Sequence, residues 1–326
     1  MSKKSSTFAV AKVTSNMKRF ILFLTAGCCL WLLSACQSPA SQEPQGEIVI
    51  TPGQVFTHTI QSKFIGERTI RVYVPASFET GGETYDVLYM QDGQMLFEAT
   101  TTWNHQEWGV DEAMDSLQAL GYIRPTIVVG IDAAGTASAA DRIAEYCPDD
   151  VANYLPEGHA MYSGLITPKG NDYLRFLVEE VKPFIEMEYP QVYREREHTW
   201  IMGSSCGALI SSYAVNKYPD VFAGAACLST HSTLSVDADF DYYVVQAYVK
   251  YITKTRPVNT YKIYFDRGDQ TLDANYADTQ EFINGGYTGD GWCEPSFMYQ
   301  FFPGAAHTED DWRARLPIPL IFLLGK

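Results

Sequence analysis

Basic side chains are scarce in this chain of 326 residues: 24 Lys and Arg stand against 39 Asp and Glu, a formal net charge of −15. Five of the basic residues (Lys3, Lys4, Lys12, Lys18 and Arg19) fall within the first 35 positions, which hold no Asp or Glu. The remainder has 19 basic against 39 acidic residues, a net charge of −20. A body that acidic repels phosphate backbones, which excludes a nucleic-acid partner. Metal-ligand spacings are missing too. There is no HExxH, and the cysteines outside the N-terminal segment (Cys147, Cys206, Cys227 and Cys293) form no CxxC. No metal and no cofactor is expected. An unbroken apolar run of roughly 20 residues, the length of a membrane-spanning helix, is also lacking. No internal repeat and no second linker interrupts the chain after residue 47.

The N-terminus reads instead as a processing segment. Lys18-Arg19 is a charged start, "FILFLTAGCCLWLL" (20–33) is an apolar core, and "LSAC" (33–36) resembles a bacterial lipobox. Ser34 and Ala35 are small enough to admit a signal peptidase, and Cys36 is the expected lipid anchor. Residues 1–36 are therefore expected to be a lipoprotein signal peptide ending in the lipobox cysteine. Residues 37–50, with "QSPASQEPQG", are a flexible tether, and 51–326 form the folded domain. The expected location is the bacterial cell envelope, on its periplasmic or surface side.

From residue 47 the chain alternates strand-like and helix-like stretches. "RTIRVYVP" (68–75), "YDVLYMQDG" (85–93), "PTIVVGID" (125–132), "HTWIMG" (198–203), "FAGAACLST" (222–230), "YKIYFDRG" (261–268) and "SFMYQFFPG" (296–304) read as strands. Helices are predicted over 171–190, 206–219, 241–252 and 275–283. The alternation predicts an α/β fold, with a mostly parallel central sheet and helices on both faces. Ligands of such sheets bind beyond the carboxyl ends of the strands.

One such end is "IMGSSCGALI" (201–210). Gly203 and Gly207 flank Ser205 in the pattern Gly-x-Ser-x-Gly, between an apolar strand and an amphipathic helix. A turn this tight demands small neighbours and lifts the serine out of the sheet edge. Ser205 is the candidate nucleophile, with Ser204 its nearest competitor. The N–H of Cys206, opening the helix, is a candidate oxyanion donor. A helix-capping serine is the plainer alternative.

A serine hydroxyl needs a base. Where a nucleophile sits on such an elbow, the triad runs Ser, acid, His. Of the six histidines only His231 and His307 follow Ser205. His307, in "FFPGAAHTEDDW" past the last strand, is the expected base, and His231 is the second choice or a pocket residue. The acid is sought after "YKIYFDRG". Asp273 is favoured, Asp269 is the alternative, and Asp266, inside the strand, is least suited. In "MQDGQMLF" the N–H of Gln94 or Gly93 is the second oxyanion candidate, with an ordinary Asp-Gly turn as the alternative.

With "LYMQDGQMLF", "WNHQEWGVDEAMD", "IVVGID", "AEYCP", "GSSCGALISSYAVNKYPDVFAGAACLS", "KIYFDRGDQTLDANY" and "PGAAHTEDDWRARLPIPLIFLL", the chain resembles the esterase D-like family of α/β-hydrolases over nearly all of 55–325. That family includes feruloyl, acetyl-xylan and siderophore trilactone esterases, S-formylglutathione hydrolases and mycolyltransferases. Members often read Gly-x-Ser-Met-Gly-Gly, where this chain has Cys206 and Ala208. Their acid loop usually starts Gly-Thr, where this chain has Gly268-Asp269.

The resemblance implies the α/β-hydrolase fold and a serine carboxylic ester hydrolase working through an acyl-enzyme. Acetyl or feruloyl esters of carbohydrates are the expected substrates of an envelope enzyme. The alternatives are a siderophore trilactone esterase, an acyltransferase using the same triad, and a surface binding lipoprotein without the chemistry. Trp103 and Trp108 are candidates to stack on a sugar or aryl ring, or else pack in the core. Arg142 and Tyr146 are candidates to touch substrate or to brace a loop.

Overall fold

Eight strands form one sheet in the computed structural model, which describes residues 50–134, 139–235 and 240–326. The signal segment, the lipobox with Cys36 and most of the tether lie outside the described residues. In chain order the strands are β1 (Gln54–Ser62), β2 (Gly66–Val74), β3 (Asp86–Gln91), β4 (Thr126–Ile131), β5 (Thr199–Ser204), β6 (Gly224–Leu228), β7 (Lys262–Arg267) and β8 (Phe297–Phe301). Their order across the sheet is β1-β2-β4-β3-β5-β6-β7-β8. The pairs β1/β2 and β2/β4 are antiparallel, and every other neighbouring pair is parallel.

Strands β3 to β6 are buried along their whole length. This is why they read as continuous apolar runs rather than alternating ones. Alternate residues feed two cores. Val87, Tyr89, Ile127, Val129 and Ile201 face one side, and Leu88, Met90, Val128, Trp200 and Met202 face the other. The second face is covered by α1 (Val110–Ala119) and, at the C-terminus, by the pair of helices after β8. The first is covered by the helices between them: α2 (Ala139–Tyr146), α3 (Gly170–Arg175) continuing into α4 (Lys182–Glu188), α5 (Cys206–Lys217), α6 (Tyr242–Lys254) and α7 (Ala277–Gly289). The closing pair is α8 (Glu309–Arg315) and α9 (Pro317–Leu324). Each fully buried Val, Leu or Ile in these layers contributes about 1.5–3 kcal/mol.

Two departures from the sequence reading have physical causes. The helix expected over 171–190 is broken by a π-helical turn, Phe176–Val181, just ahead of Pro183. Proline has no N–H to give and collides with the carbonyl four residues back, so the ladder widens there. Strand β1 was not anticipated. It is an edge strand, largely exposed over QVFTHTIQS, and carries little of the apolar patterning that marks a buried strand.

The strand order places the site. From β3 the chain steps to β4 on one side and later to β5 on the other, so the order in which it fills the sheet switches sides between the parallel strands β3 and β5. A crevice opens at the carboxyl ends of strands where such a switch occurs. The turn carrying Ser205 leaves β5 there, and the loop with Gly93 and Gln94 leaves β3.

Candidate active site

Ser205 sits between β5 and α5 with φ 57° and ψ −124°. Side-chain-bearing residues rarely adopt this conformation, and holding it costs on the order of 1–3 kcal/mol. The surroundings impose it. A Cβ on Gly203 would lie 2.7 Å from the carbonyl carbon of Gly207, and one on Gly207 would lie 3.1 Å from Gln91 Cβ. The backbones on either side of the serine therefore touch directly. Ser205 N–H donates to the Leu228 carbonyl at 3.0 Å, and His231 N–H donates to the Ser205 carbonyl at 3.1 Å, so the elbow is pinned to the end of β6. Between residues 199 and 216 every residue is buried except Ser205. Ser204, the competitor, is buried in β5.

His307 follows β8 and reaches back over the ends of β7 and β6. Its Nδ1 lies 2.7 Å from Asp273 Oδ1. Asp273 is fully buried, in a 3₁₀ turn (Thr271–Tyr276) that precedes α7. Its other oxygen accepts from the Ser229 hydroxyl at 2.7 Å and from Gly268 N–H at 2.6 Å. Burial alone would raise this carboxyl. The bond and charge of His307, the Ser229 hydroxyl and the Gly268 N–H outweigh it and hold Asp273 below the usual carboxylate value. An ionised carboxylate on Nδ1 fixes the tautomer that leaves Nε2 unprotonated and able to accept a proton. Among the described residues no hydrogen bond joins the Ser205 hydroxyl to His307; such contacts often tighten only when substrate is bound.

The alternatives separate cleanly. Asp269 does not face the imidazole. Its carboxylate accepts from Gly304 N–H at 2.8 Å and from the Gln270 side chain, closing the loop. Asp266 is buried in β7, where burial pushes its carboxyl up against the pull of Arg315. His231 cannot serve as the second base. Its Nε2 lies 2.9 Å from the Ser235 carbonyl, which only accepts, so Nε2 carries the proton and Nδ1 accepts from Tyr276 Oη at 2.7 Å. Burial pushes its pKa down to about 4, so it stays neutral. It forms wall rather than machinery, stacked beside Tyr162 with ring centroids 5.9 Å apart.

The oxyanion candidates occupy the expected elements. Cys206 N–H opens the 12-residue helix α5, whose first N–H groups have no carbonyl within the helix to bond. Gly93 and Gln94 lead a 3₁₀ turn, Gly93–Met95. Gly93 is jammed onto the end of β4, where a Cβ would stand 2.7 Å from the Gly130 carbonyl carbon. The Gln94 side chain is tied down separately and accepts from Ala133 N–H at 2.9 Å.

The proposed substrate contacts divide. Trp108 is 1% exposed and packs against Trp312 at 5.4 Å, so it belongs to the core. Its neighbour Trp312 meets the His307 ring edge-on at 4.9 Å. Trp103 is 84% exposed. Its loop is tethered to the start of α8 by Asn104 Nδ2 donating to Glu309 at 2.7 Å, two residues from His307. Arg142 pairs with Asp92, Nη2 to Oδ2 at 2.7 Å, over the ring of Tyr146. Asp92 also accepts from the Tyr146 hydroxyl at 2.8 Å, so both sequence candidates brace the loop after β3.

Four residues around the site gave no sequence signal: Ser229, Arg315, Tyr276 and Tyr162. Tyr276 lies three residues after Asp273, and its ring meets His307 at 5.7 Å. Tyr162 is buried with φ 52°, and its hydroxyl has no partner among the described residues. A tyrosine in a loop is too common a feature to be singled out by its letter.

The Esterase family model, described as "Putative esterase", matches residues 62–323. Among curated proteins, "Uncharacterized protein YbbA" of Bacillus subtilis (strain 168) is 27% identical over 164 residues, 50% of this chain. The chain spans little more than half, 57%, of that relative's length. Among solved structures, a ferulic acid esterase superposes with a TM-score of 0.61 at 22% identity, covering 84% of this chain and 99% of that one. The enterobactin esterase FES from Shigella flexneri, solved in the presence of 2,3-Di-hydroxy-N-benzoyl-glycine, does so at 0.58 and 17% identity, covering 84% and 59%. At these identities the structural likeness establishes the α/β-hydrolase fold.

Proposed function

The chain belongs to the Esterase family, a family of carboxylic ester hydrolases, and from that premise we propose that it cleaves its ester through an acyl-enzyme on Ser205. His307 takes the Ser205 proton as the hydroxyl attacks the acyl carbon. The N–H of Cys206, with that of Gln94 or Gly93, binds the oxyanion. His307 then gives the proton to the departing alcohol. Water, deprotonated by the same imidazole, releases the acid. The observation that carries this is Ser205 held at φ 57° on an otherwise buried elbow, with the half-buried His307 bonded to a fully buried Asp273 at the neighbouring strand ends.

The proposed substrates are acetyl or feruloyl esters of carbohydrates, handled outside the cell by a protein tethered to the envelope through Cys36. The lipobox-like "LSAC" supports the tether, and the exposed Trp103 beside the His307 loop supports a sugar or aryl ring at the mouth. The protein of the second superposition is named an enterobactin esterase, which keeps siderophore trilactones as the competing substrate.

The decisive test is intact-mass analysis after fluorophosphonate labelling, with peptide mapping. One adduct on the Ser205 peptide is expected. An unlabelled protein that still binds carbohydrate would favour a binding lipoprotein instead. Methyl ferulate, acetylated xylan and ferric enterobactin, compared by kcat/KM, separate the substrates. A sugar acceptor added to the assay reveals acyl transfer if an acylated sugar appears. Loss of metabolic palmitate labelling in Cys36→Ala tests the anchor.

A further inference from the structure

Behind the Asp273–His307 pair lies a buried polar cluster that takes no part in the proposed proton transfers. Ser229, just past β6, has φ 46°, in the left-handed region that disfavours a serine. Its N–H donates to the Asp266 carbonyl at 3.0 Å and to Asp266 Oδ1 at 3.1 Å. Its hydroxyl is surrounded by three groups: Trp312 Nε1 at 3.0 Å, Arg315 Nη2 at 2.8 Å and Asp273 Oδ2 at 2.7 Å. The indole and the guanidinium can only donate, so they take the hydroxyl's lone pairs. Its single proton then has one destination, the Asp273 carboxylate.

Arg315 is itself clamped. It is 3% exposed, bonded to Asp266 through Nε at 3.1 Å and Nη2 at 3.0 Å, and stacked over Phe302 at 5.0 Å. Its Nη2 lies 3.9 Å from Asp273 Oδ2.

We propose that Ser229 is a positioning residue for the Asp273–His307 pair, oriented by the buried Arg315–Asp266 ion pair; its role in turnover rests on the ester-hydrolase reading. With Oδ2 occupied by the Ser229 hydroxyl and the Gly268 N–H, the carboxylate cannot rotate, and Oδ1 is presented to His307 Nδ1. The strained backbone at 229 is the conformation in which one side chain touches all three partners. The ionisable groups facing the pair are Arg315 from α8, Asp266 from β7 behind it, His231 from the loop after β6 and Tyr276 from the turn before α7. Of these, only Arg315 and Asp266 reach Asp273 through Ser229.

The test compares Ser229→Ala with Ser229→Gly. Glycine relieves the left-handed strain while removing the hydroxyl, so it keeps the experiment informative if the alanine variant folds poorly. Both variants are expected to lower kcat for p-nitrophenyl acetate by about 10- to 100-fold, the scale of one hydrogen bond to a charged group. KM is expected to be unchanged, and the acid limb of the kcat/KM profile to move upward as the carboxylate loses a donor. The downfield proton resonance of His307 Nδ1–H, assigned by its loss in His307→Ala, is expected to shift in Ser229→Gly. A folded Ser229→Gly protein with wild-type kcat, pH profile and resonance overturns the proposal. A wild-type protein inert to esters whose resonance still shifts in Ser229→Gly keeps the positioning role and removes the hydrolase reading instead.

Discussion

The two walls of the cleft are built differently. On one wall the loops after β7 and β8 are zipped together. Asp269 and Gln270 both donate N–H to the Ala305 carbonyl at 3.0 Å, Gly304 donates to Asp269, and His307 N–H donates to Thr271 Oγ1 at 2.9 Å. The opposite wall, from the loops after β3 and β4, is tied at its base by ion pairs such as Arg142–Asp92 and Arg71–Asp132, but its Tyr162 hydroxyl has no partner among the described residues. It also exposes Trp103 and Leu165. The first wall is over-determined, as the proton transfer proposed for its groups requires. The second leaves side chains unspent, as a surface that must meet a partner does. Changes on the first wall should therefore strike kcat, and changes on the second KM and substrate preference.

The contrast can be broken or sharpened by substitution. Ser205→Ala should lose about 10⁶ in kcat toward p-nitrophenyl acetate; retention of most activity removes Ser205 from its role. Asp273→Asn should cost about 10⁴ in kcat by presenting the wrong tautomer partner, while Asp269→Asn should cost far less. The reverse ranking would return the acid to Asp269. Gly268→Ala tests the zipper, because its Cβ would fall 2.0 Å from the Ala305 oxygen. A loss of about 1–3 kcal/mol in urea melts, with a fall in kcat, is expected from forcing the loops apart.

Asp273 also links stability to pH. Its folded pKa is lowered, so its contribution is complete above the unfolded value of about 3.9 and is lost as pH falls through the lowered folded value. The stability difference between wild type and Asp273→Asn should accordingly shrink below about pH 4. The smallest effect is expected on the open wall, where Trp103→Ala should raise KM for an aryl or sugar ester modestly and leave kcat alone. A fall in kcat without a change in KM would place Trp103 with the machinery rather than the mouth.

Much of this was legible in the letters. Strands β3 to β6 announce themselves because burial on both faces keeps their interiors apolar and confines polar residues such as Asp86, Gln91 and Thr199 to their ends. Ser205 is marked by the glycines that let two backbones touch, and His307 by being one of only two histidines after it. Trp108 and Trp103 show the limit. Both stand in "TTWNHQEWG", yet one is buried against Trp312 and the other lies in solvent, and local spacing carries no information about which. His231 and His307 are likewise both histidines past a strand end. They are told apart only by the Ser235 carbonyl and the Asp273 carboxylate that their rings meet.

Sequence alone determined the layered fold, the elbow and the order of its chemical groups, because periodicity, turn sterics and chain order are local properties. Tertiary structure decided which carboxylate faces the imidazole, which histidine stays neutral, and that Ser229 and Arg315 stand behind Asp273. Those depend on burial and on partners dozens of residues away. A side chain's protonation and orientation are set by whatever surrounds it in space, not by its neighbours along the chain.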